Sequence, residues 1–232
     1  MRYATLTVIL SICFFLHTSI VFQRFDNSVC GTVVMPDSGR KLFSRNLEYG
    51  KNSRGVLTDD DLQTEALVHP DLNAFAILFP LSFNPDLPPT QNAVITQKSQ
   101  TFIPHVIAVT VGSKIYILNE DNEYHNVFSR TPRASFNIGR RPPGHMYPQK
   151  INKVGLIKLF CDIHEHMSAY VLSLDTPYFA RIDENGNYHI EHLPDGEYRL
   201  DIFHPEVTKV STKIMLKEGK EQVINFDLSK YR

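Results

Sequence analysis

Tryptophan is absent from this chain of 232 residues, cysteine occurs three times, methionine five times, and neither sign of charge predominates. Without tryptophan, the large interior side chains must come from 15 phenylalanines and 10 tyrosines, which suit the pleated, half-buried surfaces of strands. Cys13 lies in an apolar N-terminal run, so the only disulfide open to the rest of the chain joins Cys30 to Cys161. A formal net charge of -1 excludes the broad basic footprint of a nucleic-acid-binding protein. Acidic and basic residues are interspersed, so no charge run marks a disordered tail. What the chain does have is 42% hydrophobic residues, enough for one large core or two small ones.

The N-terminus carries one positive charge at Arg2, followed by an apolar stretch over residues 4–22. Residues 1–23 are therefore expected to be a secretion signal, or an uncleaved membrane anchor, since no small-x-small cleavage triplet precedes Arg24. Residues 29–34 read as a strand ending in the turn Pro36-Asp37-Ser38-Gly39. Residues 45–61 suggest a long surface loop, residues 59–68 a short helix, and residues 73–80 a buried strand. The run Asn84-Pro85-Asp86-Leu87-Pro88-Pro89 marks a boundary. From Ala93 onward, short strands over residues 93–97, 102–111, 114–119 and 127–129 are separated by turn residues, the pattern of a sandwich or barrel. Residues 136–148, rich in Arg, Pro and Gly, are expected to be a covering loop. Val111-Gly112-Ser113-Lys114 and Asn185-Gly186 read as hairpin turns.

The chemistry concentrates in Cys161-Asp162-Ile163-His164-Glu165-His166-Met167, a thiol, imidazoles and a thioether within seven residues. In residues 155–161 the odd positions share one strand face, which turns Cys161 inward with Ile157 and Leu159. A tight loop over His164 and Met167 then precedes the next apolar strand. Tyr124-His125-Asn126-Val127 offers a further donor upstream. One Cys, two His and one weakly held Met form the trigonal-plus-axial set that stabilises copper in both oxidation states. Thioether ligation argues against zinc, which favours Cys, His and carboxylates.

Cys-x2-His-x2-Met, preceded by His-Asn-Val, resembles the type 1 copper site of the cupredoxins, and the short loop is most similar to that of amicyanin. The resemblance covers residues 93–174 and implies His125, Cys161 and His164 as equatorial ligands and Met167 as the axial one. It also implies that Asn126 hydrogen-bonds the thiolate and ties the ligand loops together, with Asp162 as its side-chain partner. Ile163 departs from the family, which has proline there in amicyanin.

A second resemblance flanks the first. Residues 180–190 around Asn185-Gly186, followed by Leu193-Pro194-Asp195-Gly196-Glu197-Tyr198, are similar to the carboxypeptidase regulatory-like, transthyretin-like sandwich. Its first strands resemble Cys30-Gly31-Thr32-Val33-Val34 and Ala74-Phe75-Ala76-Ile77-Leu78. The expected fold is all-β: a cupredoxin Greek-key sandwich over residues 90–175 interrupting a smaller sandwich over residues 28–82 and 176–232. This arrangement resembles secreted bacterial cupredoxins grouped with methylamine utilisation.

Blander readings stand beside these. A Cys30–Cys161 disulfide would leave His125, His164 and Met167 without purpose. His166 is an alternative ligand to His164, but Met167 would then be badly placed; Met146 is a remote axial alternative. Asp183, Glu184 and Asn185 offer three oxygens where calcium takes 6 to 8, and read as a solvated turn. His105, His145, His189, His192 and His204 are too dispersed for one site. With four positions filled by protein, the expected function is electron transfer to an unidentified redox partner in the periplasm. A multicopper oxidase or nitrite reductase would need a His-Cys-His triplet or a second copper, and Cys161 is flanked by Phe160 and Asp162. Five methionines without a tract argue against copper storage or delivery, although a copper-handling or structural module remains the alternative class.

Overall fold

Strands form in every described part of the chain, which in this computed structural model comprises residues 27–35, 73–205 and 207–229. The N-terminal signal or anchor, the turn at Pro36, the surface loop and the helix expected at residues 59–68 lie outside the described residues. Among the described residues, no helix is long and apolar enough to cross a membrane.

Chain order begins with β1 (Asn27–Val34) and β2 (Phe75–Pro80). It continues with β3 (Val94–Lys98), β4 (Thr101–Ile103), β5 (Val106–Thr110), β6 (Lys114–Asn119) and β7 (His125–Ser129). Next come β8 (Phe136–Arg141), β9 (Met146–Lys150), β10 (Gly155–Phe160) and β11 (Ser168–Leu174). The last six are β12 (Phe179–Arg181), β13 (Asn187–Leu193), β14 (Gly196–His204), β15 (Val207–Leu216), β16 (Glu221–Val223) and β17 (Phe226–Asp227).

Four sheets result. Strands β5-β11-β10-β7-β8 and β4-β3-β6-β9 enclose one core, with Ile95, Phe102, Ile115, Ile117, Val127, Leu159 and Val171 at its centre. Strands β13-β1-β16, with β17 also on β1, and β12-β2-β14-β15 enclose a second, built on Val29, Leu78, Ile182, Tyr198 and Leu200. The pairs β3·β6 and β5·β11 are parallel, so neither sheet of the first sandwich is a simple meander.

A third apolar cluster joins the two sandwiches: Phe75 and Ile77 of β2 meet Val106 and Ala108 of β5 and Leu172 and Leu174 of β11. This explains why these strands are apolar at nearly every position. In β2, Ala76 and Leu78 face the second core while Phe75 and Ile77 face the joint; in β5, Ile107 and Val109 face the first core while Val106 and Ala108 face the joint. Burying each large side chain there contributes about 1.5–3 kcal/mol. Arg181 crosses the joint, its guanidinium 4.6 Å over the Phe75 ring and Nη2 donating to the Val106 carbonyl at 2.7 Å.

Two expectations are corrected. Residues 136–148 are not a covering loop but β8 and β9, joined through Pro142-Pro143-Gly144. Each is the outermost strand of its sheet. An edge tolerates arginine and proline, and Pro148 needs no ladder donor on its open side. Nor are the turns at Gly112 and Gly186 hairpins: β5/β6 and β12/β13 belong to different sheets, as do β13 and β14 on either side of the turn ending at Gly196. The chain does reverse tightly at Gly186, whose φ of 82° suits glycine, and Asp183 accepts hydrogen bonds from the backbone of Asn185 and Asn187. That carboxylate is occupied by its own turn, in keeping with a solvated-turn role. Turn residues dictate reversal, but whether the flanking strands pair depends on which sheet each must complete.

Just before β5, His105 lies edge-on to Tyr170 at 5.3 Å, and burial holds its imidazole below the ordinary histidine range, against a hydrogen bond to the Ser168 backbone that raises it. Unfolding therefore takes up a proton in mildly acidic solution. The stability this group contributes is whole above its unfolded value, ~6.5, and is lost as the pH falls below that. Thermal unfolding should show a larger loss between pH 7.5 and 5 for the native chain than for His105→Gln; equal losses would assign the acid sensitivity elsewhere.

Candidate metal centre

Strand alternation delivers the thiol. Along β10, Ile157 and Leu159 are buried and Lys158 is exposed, and Cys161, one residue past the strand, continues the inward series at 4% exposure. The chain then turns back within six residues, with Met167 N–H donating to the His164 carbonyl (3.0 Å) and Cys161 N–H to the Met167 carbonyl (3.4 Å). That closure carries the imidazole of His164 over the thiol. His125 opens β7, which joins β10 through the Phe128–Phe160 pair, and is fully buried.

The three donors converge. Cys161 Sγ lies 3.7 Å from His125 Nδ1 and 3.9 Å from His164 Nδ1, and the two Nδ1 atoms are 3.2 Å apart. A triangle with these sides has its centre about 2.1 Å from every corner, within the ~2.0–2.3 Å at which imidazole nitrogen and thiolate sulfur bind a metal ion. The donor set and its spacing fit a single copper ion. Met167 is buried in the same apolar cluster as Cys161. His166 is exposed, with its ring 6.1 Å from that of His164, so His164 and not His166 faces the thiol. Met146 is also exposed, on β9.

Asn126 is buried next to His125, but its side-chain oxygen has no hydrogen-bond partner, and the expected pairing with Asp162 is not made. Alternation explains the difference: with Cys161 inward, Asp162 projects to the other side, where it is exposed and lines an open depression with Phe128, Arg130, Phe136 and Asn137.

Two residues that sequence reasoning passed over stand behind the imidazoles. Asp121 Oδ2 is 2.7 Å from His125 Nε2, and Glu123 Oε2 is 3.3 Å from His164 Nε2. Both carboxylates belong to the polar stretch between β6 and β7, residues 120–124. The signal was present as acidic residues four and two positions before a candidate ligand, but acidic residues are common in surface loops.

No protein-family pattern matches the sequence, and no curated protein is similar to it. Among solved structures, the chain is similar to a purple cupredoxin from Nitrosopumilus maritimus, with 19% identity over 36% of this chain and 100% of that one, at a TM-score of 0.33. It is similar to amicyanin from Paracoccus versutus at 18% identity over 42% and 97% of the two chains, TM-score 0.34. A copper-containing nitrite reductase from Thermus scotoductus matches at 18% identity over 41% of this chain and 25% of that one, TM-score 0.35. The chain thus spans a quarter of the reductase. The chemical reading of the site rests on its own side chains.

Proposed function

We propose that the protein is an exported electron carrier holding one type 1 copper through His125 Nδ1, Cys161 Sγ and His164 Nδ1, with Met167 as a weak axial donor. The convergence of three soft or borderline donors on one point, inside an apolar wall, is the observation that carries this reading. Copper bound there supplies a one-electron couple, because a trigonal Cys-His-His set lies between the geometries its two oxidation states prefer. The chain's own residues hold that set in place: the sheet fixes His125 and Cys161, and the short loop back to Met167 fixes His164. Four protein donors leave no position for a substrate, so the chain is read as a carrier and not an enzyme. Its partners would be a one-electron donor and a one-electron acceptor, both proteins, and not nucleic acid.

The same reading assigns residues 1–23 to export into the periplasm, as a cleaved signal or a retained anchor. It assigns residues 90–175 to the copper-bearing unit and residues 28–82 with 176–232 to a carboxypeptidase regulatory-like sandwich, as in the secreted group associated with methylamine utilisation. The order of the strands supports it, since β1 and β2 precede and β12 to β17 follow the sheets that carry the ligands.

Titration of the purified chain with Cu(II), followed by visible absorption, should give an intense thiolate band that saturates at one copper per chain. Reduction by ascorbate and reoxidation should restore the same spectrum. A band that is lost irreversibly on reduction would favour a copper-handling role, and a colourless protein would end the type 1 reading.

A further inference from the structure

Both imidazoles of the candidate centre turn Nδ1 inward and Nε2 onto a carboxylate, and this repetition is not explained by the three donors alone. A carboxylate only accepts, so each Nε2 is the nitrogen placed to donate, and in a neutral ring with its proton there the Nδ1 lone pair is left for a metal ion. The two Nδ1 atoms lie 3.2 Å apart beside a thiol, an arrangement suited to sharing one cation.

The carboxylates are themselves held. Asp121 Oδ1 accepts from the backbone N–H of Ser99 and Oδ2 from that of Gln100, the latter at 3.0 Å. Glu123 Oε1 accepts from Gln100 Nε2 at 2.7 Å. Ser99 and Gln100 form the turn between β3 and β4, both at positive φ, the conformation of a type I′ hairpin. On the other side, Asn119 Oδ1 accepts from the Asp121 N–H, and Asn119 Nδ2 donates to the Glu123 carbonyl at 2.8 Å. One turn and one buried asparagine therefore fix both acids, which in turn fix both imidazoles.

We propose that Asp121 and Glu123 are positioning residues of the metal centre: they lock His125 and His164 as Nε2–H tautomers and place two negative charges one ring away from the copper, favouring its oxidised state. The proposal rests on the copper reading above and adds to it the residues that set ligand orientation and potential. Outer carboxylates of this kind raise the basicity of the ligand. Removing their charge while keeping an acceptor separates the electrostatic effect from the orienting one.

The test compares Asp121→Asn, Glu123→Gln, Asp121→Ala and Glu123→Ala with the native chain. Glu123 is half-exposed, so Glu123→Gln keeps the proposal testable even if changes at Asp121 impair folding. In the copper-loaded chains, Asn and Gln should retain the thiolate band and one-copper stoichiometry. Each should shift the reduced-to-oxidised ratio at a fixed potential about tenfold toward Cu(I), ~59 mV for a one-electron couple. Asp121→Ala should in addition weaken copper binding ~10–100-fold. In the metal-free chain, nitrogen-15 NMR should report Nε2–H tautomers for both histidines, with His164 losing that preference in Glu123→Ala. Unchanged potentials together with unchanged tautomers would overturn the proposal while leaving the copper reading intact. A native chain that takes up no copper would defeat that reading, and the metal-free tautomers would still decide whether the carboxylates position the rings.

Discussion

Cys161→Ser loses the intense thiolate-to-copper absorption entirely and binds copper more weakly than the native chain by more than the ~100-fold upper end for removing an outer hydrogen-bond partner. The serine hydroxyl is nearly the size of the thiol, and the site stays walled by Leu159, Val127 and Met167, so the sheets should remain folded. What changes is the donor. A hydroxyl does not ionise near neutral pH and is hard where the thiolate is soft, so the trigonal set is reduced to two imidazoles. The remaining His125 and His164 bind Cu(II) with only a pale colour. Absorption spectra and equilibrium dialysis on the two chains check both parts; persistence of the band in the serine variant would move the sulfur ligand to Cys30, which lies on β1 of the other sandwich.

Gly31→Ala should be the most destabilising small change in the second sandwich, by about 3 kcal/mol or more, lowering the melting temperature by roughly 6–12 °C. β1 pairs with β16 through Cys30 and with β17 from Val33, and the chain between those two strands carries the Ile224 carbonyl directly over Gly31. A methyl group at residue 31 would fall inside that oxygen. The oxygen has no room to retreat: it accepts from Tyr188 Oη at 2.7 Å, and Ile224 N–H donates to the Cys30 carbonyl at 2.8 Å. Relief requires pulling β16 and β17 away from β1. Calorimetry of the copper-free variant measures the cost, and a shift of less than two degrees would show that the strand switch is soft.

Much of the candidate centre was legible because its parts are close in sequence. Cys161, His164 and Met167 fall within one loop, and strand alternation in residues 155–161 suffices to turn the sulfur inward. The β character of β1, β2, β3 and β6 was equally readable from local pattern. The orientation of Asp162 away from Asn126 was not, because the alternation that buries Cys161 also sends Asp162 outward. The two edge strands β8 and β9 were hidden by Arg, Pro and Gly, which an edge accepts and a central strand does not.

The sequence by itself determined the all-β character and the supply of soft donors, since periodicity and side-chain chemistry are properties of neighbouring residues. Only the tertiary structure decided how the turns at Gly112, Gly186 and Gly196 are used, sending the chain from sheet to sheet. It alone brought His125 to within 3.7 Å of Cys161 and set Asp121 and Glu123 behind the two imidazoles. Those contacts depend on a turn at Ser99 and Gln100 and on a loop more than twenty residues away, and a pairing across such a distance leaves no trace in local pattern.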